Sequence, residues 1–120
     1  MNPFRKYLTK EQLLQEACVN YLRLQYPNLL FTHVPNEGKK SPFERWLYKL
    51  MGVRTGISDL LIFQTNQLFN GFAIELKIDK NKPTELQEKF MEDIRFCGWK
   101  TLVIYDLNTF INNVKEYIGQ

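Results

Sequence analysis

The sequence predicts an α/β fold in which a mixed sheet of about four strands is flanked by helices, in the order α-β-α-β-β-α-β-α. Two short apolar runs, residues 60–63 and 72–78, are separated by a polar segment containing turn residues, a pattern typical of a hairpin of buried strands. A helical segment then leads to a third apolar run, residues 100–105. Strand–helix–strand units are right-handed and make their two strands parallel, so the sheet is predicted to be mixed.

The size and composition of the chain are those of one ordinary domain. Its 120 residues, of which 44% are hydrophobic, can bury a single core, so we expect one domain over residues 1–120. No apolar run approaches ~20 residues, and the N-terminal segment lacks the apolar centre of a signal peptide. We therefore expect a cytoplasmic protein with no membrane span. Cys18 and Cys97 fall in predicted helices without metal-ligand spacing, which favours reduced, buried thiols.

The first helix is predicted from Thr9, its N-cap, to about Gln25, before Pro27. Glu11 falls on the edge of the apolar stripe of this helix, whereas Glu16 lies on the opposite, polar face. If an acidic residue of this helix reaches a site on the core side, that residue is therefore Glu11. The alternative is that Glu11 is a first-turn acid stabilised by the helix dipole.

A strand is expected at residues 29–34, followed by a loop at residues 35–38. His33 is the only histidine, which disfavours nucleophilic hydrolase chemistry based on Ser-His-Asp or Cys-His. A second helix begins after Ser41 and runs to about Met51. Its aromatic and basic residues could face DNA, or Trp46 and Leu50 could pack into the core.

The remaining elements complete the sheet and its cover. Thr84 is the predicted N-cap of a third helix, residues 85–97, which stops at Gly98. The strand at residues 100–105 follows, and a final helix spans about residues 108–118.

Acidic residues interrupt both strands of the predicted hairpin. Asp59 stands at the head of the first strand, and Glu75 lies inside the second, on the same face as Lys77. Ionised groups in an apolar setting need an ionic partner or a metal ion. Two carboxylates offer only oxygen ligands, which suit Mg²⁺ or Mn²⁺. Lys77 would orient or deprotonate the attacking water, or neutralise charge on a phosphodiester. The alternative is a surface hairpin whose Glu75 and Lys77 form a solvated ion pair.

Basic residues bracket the two acids in sequence. The net charge of +3 and the isoelectric point near 8.9 permit binding to a polyanion without requiring it. A solvated charged face is the alternative to a phosphate-binding groove. The basic residues before Asp59 and after Glu75 are Lys39, Lys40, Arg45, Lys49, Arg54, Lys77, Lys80 and Lys82.

Residues 56–59 (Gly-Ile-Ser-Asp) and 74–77 (Ile-Glu-Leu-Lys) resemble the active-site signature of the PD-(D/E)XK nuclease superfamily. The flanking motifs resemble the VRR-NUC family, the virus-type replication-repair nucleases. This family has an N-terminal helix with a Glu, a Pro-Asn-x-Gly loop, a Gly-x-Pro-Asp strand entry, a Glu-x-Lys strand and a helix opened by Gln. All five have counterparts between Glu11 and Gln87. Ser58 replaces the usual Pro, at a position that shapes the turn and carries no ligand.

The resemblance implies a restriction-endonuclease-like core and a metal-dependent nuclease site. Asp59, Glu75 and the Leu76 backbone carbonyl would hold Mg²⁺ or Mn²⁺, with Glu11 completing the shell directly or through water. Lys77 and Gln87 would place the attacking water. From the residues alone, Gln87 is only the capping-box partner of Thr84. Further candidates for substrate binding are Gln15, Asn36, Lys39, Lys40, Arg45, Arg54 and Lys80.

The resemblance also implies a partner and a substrate. Stand-alone members of the family are associated with viral genomes and branched DNA, so we expect a homodimer that resolves Holliday junctions, without an organic cofactor. The alternatives are a monomeric nuclease acting at flaps or nicks and a catalytically idle module that binds DNA. A metal-free RNA-binding module using Trp46, Tyr48 and Phe72 ranks last, because no RNP-like motif is present.

Overall fold

A computed structural model describes residues 2–35 and 40–119. The predicted order of elements is confirmed, and a short 3₁₀ helix, Pro3–Tyr7, precedes them. The elements are α1 (Lys10–Gln25), β1 (Phe31–His33), α2 (Pro42–Leu50), β2 (Leu60–Ile62), β3 (Phe72–Leu76), α3 (Glu85–Phe96), β4 (Lys100–Ile104) and α4 (Leu107–Ile118).

The four strands form one mixed sheet in the order β1-β2-β3-β4. β2 pairs antiparallel with both β1 and β3, which confirms the predicted hairpin. β4 pairs parallel with β3, as the strand–helix–strand unit requires. Ile74 is opposite Leu60 on one side and Leu102 on the other, so this register fixes which residues of β2 and β4 lie beside each residue of β3.

Helix starts are set by local hydrogen bonds that the sequence signals directly. Thr9, Ser41 and Thr84 each accept a hydrogen bond from the backbone N–H three residues ahead, and the side chain of that residue accepts one from the backbone N–H of the cap. These three capping boxes each satisfy two backbone donors that a helix start leaves unpaired. They fix where α1, α2 and α3 begin.

The core lies on one face of the sheet, beneath α1 and α4. Alternation along β3 sends Phe72, Ile74 and Leu76 to this face, where burial contributes roughly 1.5–3 kcal/mol for each large side chain. The same alternation sends Ala73 and Glu75 to the other face, on the side of α3. The buried residues of the core cluster are Cys18, Leu22, Leu60, Ile62, Phe72, Ile74, Leu76, Ile104, Phe110, Val114 and Tyr117.

Two expectations about burial are corrected. Cys18 is buried as expected, and burial raises the pKa of its thiol to about 12. Cys97, also expected to be buried, is exposed, because α3 ends at Phe96 and Cys97 forms its C-cap. Both thiols are free. Core packing of Trp46 and Leu50 is also wrong: their exposed fractions are 59% and 64%. One sheet face is filled by α1 and α4, and none of the residues of α2 is buried.

Within residues 2–35 and 40–119, the structure has no helix that is both long enough and apolar enough to cross a membrane.

Candidate active site

The hairpin register brings Asp59 and Glu75 together. Leu60 is opposite Ile74, so continuing the antiparallel ladder by one residue places Asp59 across from Glu75. Residues directly opposite each other in such a pair have side chains on the same face, here the face away from the core. Asp59 is 8% exposed and Glu75 is 1% exposed. Two carboxylates thus meet in a largely dehydrated part of the sheet.

Two hydrogen bonds hold Asp59, one from a backbone N–H and one from a histidine side chain. Its Oδ2 accepts a hydrogen bond of 2.7 Å from the Leu76 N–H, at the end of β3. Its carbonyl oxygen lies 2.7 Å from Nδ1 of His33, which must be the donor because a carbonyl only accepts. The strand position of His33 gave no sign of this contact, so sequence reasoning missed its part in fixing Asp59.

Among the described residues, only one oxygen of the Glu75 carboxylate has partners. Oε2 accepts a hydrogen bond of 3.2 Å from Gln87 Nε2 and lies 3.8 Å from Lys77 Nζ. Oε1 is buried without a hydrogen-bond partner in the described ranges. Burial, with smaller contributions from Asp59 and Glu11, raises the pKa of Glu75 to about 9 even though Lys77 lowers it.

Gln87 joins the site to the start of α3. Its Oε1 accepts a hydrogen bond of 2.8 Å from the Thr84 N–H, while Nε2 donates to Glu75. The capping contact and the site contact therefore coexist. The segment that leads to Asp59 packs closely against the first turn of α3 at Gly56. Gly56 has a φ of +79°, and a Cβ there would lie 2.6 Å from the Leu86 carbonyl carbon.

The other predicted site residues lie at varied distances from the carboxylates. Glu11 is half-buried on α1 and near enough to affect Glu75 electrostatically. Gln15, one turn along, is half-buried and forms no hydrogen bond with either carboxylate, and Lys80 is exposed beyond β3. Of the residues that the structure describes, no three acidic, histidine or cysteine side chains converge closely enough to hold a metal ion. Two predicted residues, Asn36 and Lys39, lie outside the described residues.

A cleft of about 350 Å³ adjoins the site through Gln87. Lys40 and Arg54 line it together with Tyr48, whose ring lies 4.9 Å from the Lys40 ammonium. Arg54 also forms an ion pair of 2.8 Å with Asp93, which compensates part of its charge. The structure thus places two of the predicted basic residues in the cleft that adjoins the site through Gln87. Arg45 lies on the exposed surface of α2, where it donates a hydrogen bond of 2.8 Å to the Lys40 carbonyl.

Comparison with known proteins shows the family and the fold of the chain. The family model described as the VRR-NUC domain matches residues 4–105, most of the chain. The chain belongs to the VRR-NUC family. A solved structure titled "VRR_NUC domain protein" superposes with a TM-score of 0.75 at 24% identity, covering 93% of this chain and 90% of the other, and shows the same fold. No curated protein matches.

Membership of the VRR-NUC family confirms the resemblance seen in the sequence, and the fold fits a PD-(D/E)XK-like core. The family is one of nucleases, which implies DNA as the class of substrate. Nucleases of this kind generally use divalent metals, and the donor set here suits such an ion. Asp59 and Glu75 present carboxylate oxygens, the type of donor that Mg²⁺ and Mn²⁺ prefer, and Glu75 Oε1 is a buried oxygen lacking a partner in the described structure.

Proposed function

We propose that residues 1–120 form one nuclease domain that hydrolyses phosphodiester bonds in DNA with the help of Mg²⁺ or Mn²⁺. The observation that carries this proposal is the convergence of Asp59, Glu75, Lys77 and Gln87 beside a basic cleft, with Glu75 Oε1 buried and unpartnered within the described structure. Two adjoining carboxylates that serve only stability would be unfavourable, because burial penalises each charge and each charge repels the other.

The ligands proposed for the ion are Asp59, Glu75 and the Leu76 backbone carbonyl, with Glu11 contributing directly or through water. When bound, the ion would compensate the two carboxylates and stabilise charge that develops on the attacked phosphate. Glu11 is included because it lies close enough on α1 to raise the pKa of Glu75. Coordination through water is the option that fits the described residues, where no three acidic side chains converge closely enough to hold an ion directly.

Lys77 and Gln87 both lie at Oε2 of Glu75. The hydrogen bond of 3.2 Å from Gln87 occupies Oε2, so Oε1 would be the oxygen available to hold the ion. The Lys77 ammonium lies 3.8 Å from Oε2, and its side chain is only 12% exposed, so its position is restricted. In the proposed mechanism Lys77 positions the attacking water or takes its proton, and Gln87 assists the placement.

We propose branched DNA, in the form of a four-way junction, as the substrate, cut by a symmetric homodimer. This choice derives from the family resemblance and from the fact that a dimer presents two active sites to one branch point. Lys40 and Arg54 line the cleft beside Gln87, which supports the proposal that they contact phosphates. The same-class rival is a monomer that cuts flaps or nicks.

Incubation with a panel of labelled DNAs tests these proposals. Four-way junction, flap, nicked duplex, linear duplex and single strand are each incubated with Mg²⁺, Mn²⁺ or EDTA, beside a Glu75→Ala variant. Metal-dependent symmetric cuts in the junction that the variant lacks would support the whole proposal. Cuts confined to the flap or the nicked duplex would support metal-dependent hydrolysis of DNA but reject the four-way junction as the substrate. Junction binding without cleavage, and without Mg²⁺ or Mn²⁺ binding, would favour an idle module.

A further inference from the structure

Helix α2 carries an exposed apolar stripe. Phe43, Trp46 and Leu50, here called the aromatic stripe, are 63%, 59% and 64% exposed. Their spacing of three and four residues aligns them along one side of the helix. The Phe43 and Trp46 ring centroids are 5.8 Å apart. Large apolar side chains grouped in this way on a surface indicate a binding site.

The charges beside the stripe are almost all positive. Arg45 and Lys49, here called the basic edge, are exposed and four residues apart, so they lie in line along α2. Between residues 40 and 58 the only acid is Glu44, and its carboxylate accepts a hydrogen bond of 3.1 Å from the Ser41 N–H at the helix cap. Arg45 uses one of its five N–H donors on the Lys40 carbonyl, and its side chain makes no other hydrogen bond to the residues that the structure describes. The surface is complementary to a polyanion.

The order of these residues around α2 leads from the cleft to the stripe. Tyr48 lines the cleft with Gln87. In steps of about 100° per residue, the next positions around the helix are the basic edge and then Trp46. A single strand leaving the cleft on this side therefore passes phosphates over the basic edge before a base reaches the indole ring.

We propose that α2 binds unpaired nucleotides, with the basic edge on their phosphates and the aromatic stripe stacked on their bases. The inference rests on the proposed function for its ligand, DNA, and narrows the substrate to DNA with an unpaired arm or an opened branch point. Base pairs within a closed duplex hide their faces in the stack, whereas every unpaired base offers a face to an aromatic ring. A second copy of the chain is the rival occupant. It is disfavoured because two α2 helices packed together would bring Arg45 and Lys49 of both copies close to one another.

Equilibrium binding of the full chain in EDTA tests the inference without any cleavage. The probes are a fluorescent oligothymidylate and a blunt duplex of the same length, and the variants are Trp46→Ala and Phe96→Ala. Phe96 is a matched control, an aromatic residue 87% exposed on α3. We expect Trp46→Ala to weaken oligothymidylate binding at least about fivefold, the loss of one base–aromatic stack, and to change duplex binding less than about twofold. Phe96→Ala should leave both affinities unchanged.

Two further measurements distinguish direct stacking of a base on Trp46 from an indirect effect of removing the indole ring. Saturating unlabelled oligothymidylate should quench the wild-type tryptophan emission more than that of Trp46→Phe, which retains a stacking ring and most of the affinity. Equal affinity of wild type and Trp46→Ala for oligothymidylate would overturn the inference. So would a Trp46→Ala variant that becomes monomeric but keeps its affinity, since a second copy would then cover the stripe.

The outcome is independent of the nuclease proposal. Wild-type protein that cuts DNA while Trp46→Ala binds oligothymidylate normally would reject the role of α2 and leave the nuclease in place. Wild-type protein that cuts no DNA, together with a Trp46→Ala variant that loses affinity for oligothymidylate, would reject the nuclease and support the role of α2.

Discussion

At the scale of single residues, Lys77 gives the sharpest test of the proposed chemistry. Its ammonium group lies 3.8 Å from a buried carboxylate oxygen, so Lys77→Met keeps most of the side-chain volume and removes only the charge and the proton-transfer group. We expect single-turnover cleavage to fall roughly 10²–10⁴-fold, the usual contribution of a positioned acid or base. DNA binding in EDTA should change little. Lys115→Met, at an exposed lysine in the last turn of α4, is the matched control, and undiminished cleavage by Lys77→Met would refute the assignment.

Glu75 predicts how the stability of the metal-free protein depends on pH. Its folded-state pKa is about 9 against an ordinary value of 4.5, so the folded protein binds more protons than the unfolded chain between these values. Stability from the protonated carboxyl is therefore complete below about pH 4.5 and is lost as pH rises towards about 9. In EDTA, Glu75→Gln should lack this loss and melt above wild type near pH 9.

The control for this melting series is Glu88→Gln, which changes an exposed carboxylate of α3. Its melting temperature should follow wild type at every pH. A Glu75→Gln curve with the same slope as wild type would contradict the assigned pKa.

At the scale of elements, the loop before β2 owes its position to contact with α3. Gly56→Ala must accommodate both a positive φ and a Cβ 2.6 Å from the Leu86 carbonyl carbon, whereas Gly52→Ala has the same kind of φ, +84°, and no atom within 4 Å. We expect Gly52→Ala to lower the unfolding free energy by about 1–2 kcal/mol, the left-handed backbone penalty alone. Gly56→Ala should cost more in urea unfolding and also reduce cleavage, because Asp59 follows three residues later. Equal costs for the two variants would show that the Leu86 contact is unimportant.

The contrast between local and distant contacts also explains what the sequence could predict. Thr84 and Gln87 signal a helix start because their contacts span three residues, and the hairpin period places Glu75 on a known face. The hydrogen bond from His33 to Asp59 spans 26 residues and depends on how β1 aligns with β2, which no local pattern states. The exposure of Trp46 likewise depends on other helices filling the sheet faces first.

At the scale of the whole molecule, the proposed homodimer predicts paired cuts. Each subunit would supply one active site, and a junction held by both should be cut in two strands at symmetric positions. Wild-type subunits mixed with an excess of tagged Glu75→Ala subunits should form dimers with one working site. Such mixed dimers, purified by the tag, should nick a supercoiled cruciform once, where wild type linearises it.

Trp46→Ala should remain dimeric in analytical sedimentation, because the aromatic stripe is assigned to DNA and the dimer must use another surface. Two outcomes would count against the dimer. One is wild-type protein that sediments as a monomer at micromolar concentration yet cuts flaps, which would identify the monomeric nuclease. The other is a mixed dimer that linearises the cruciform as fast as wild type, since one site would then cut both strands. A nick in the mixed dimer and a double cut in wild type would establish that resolution needs two Glu75 carboxylates on one branch point.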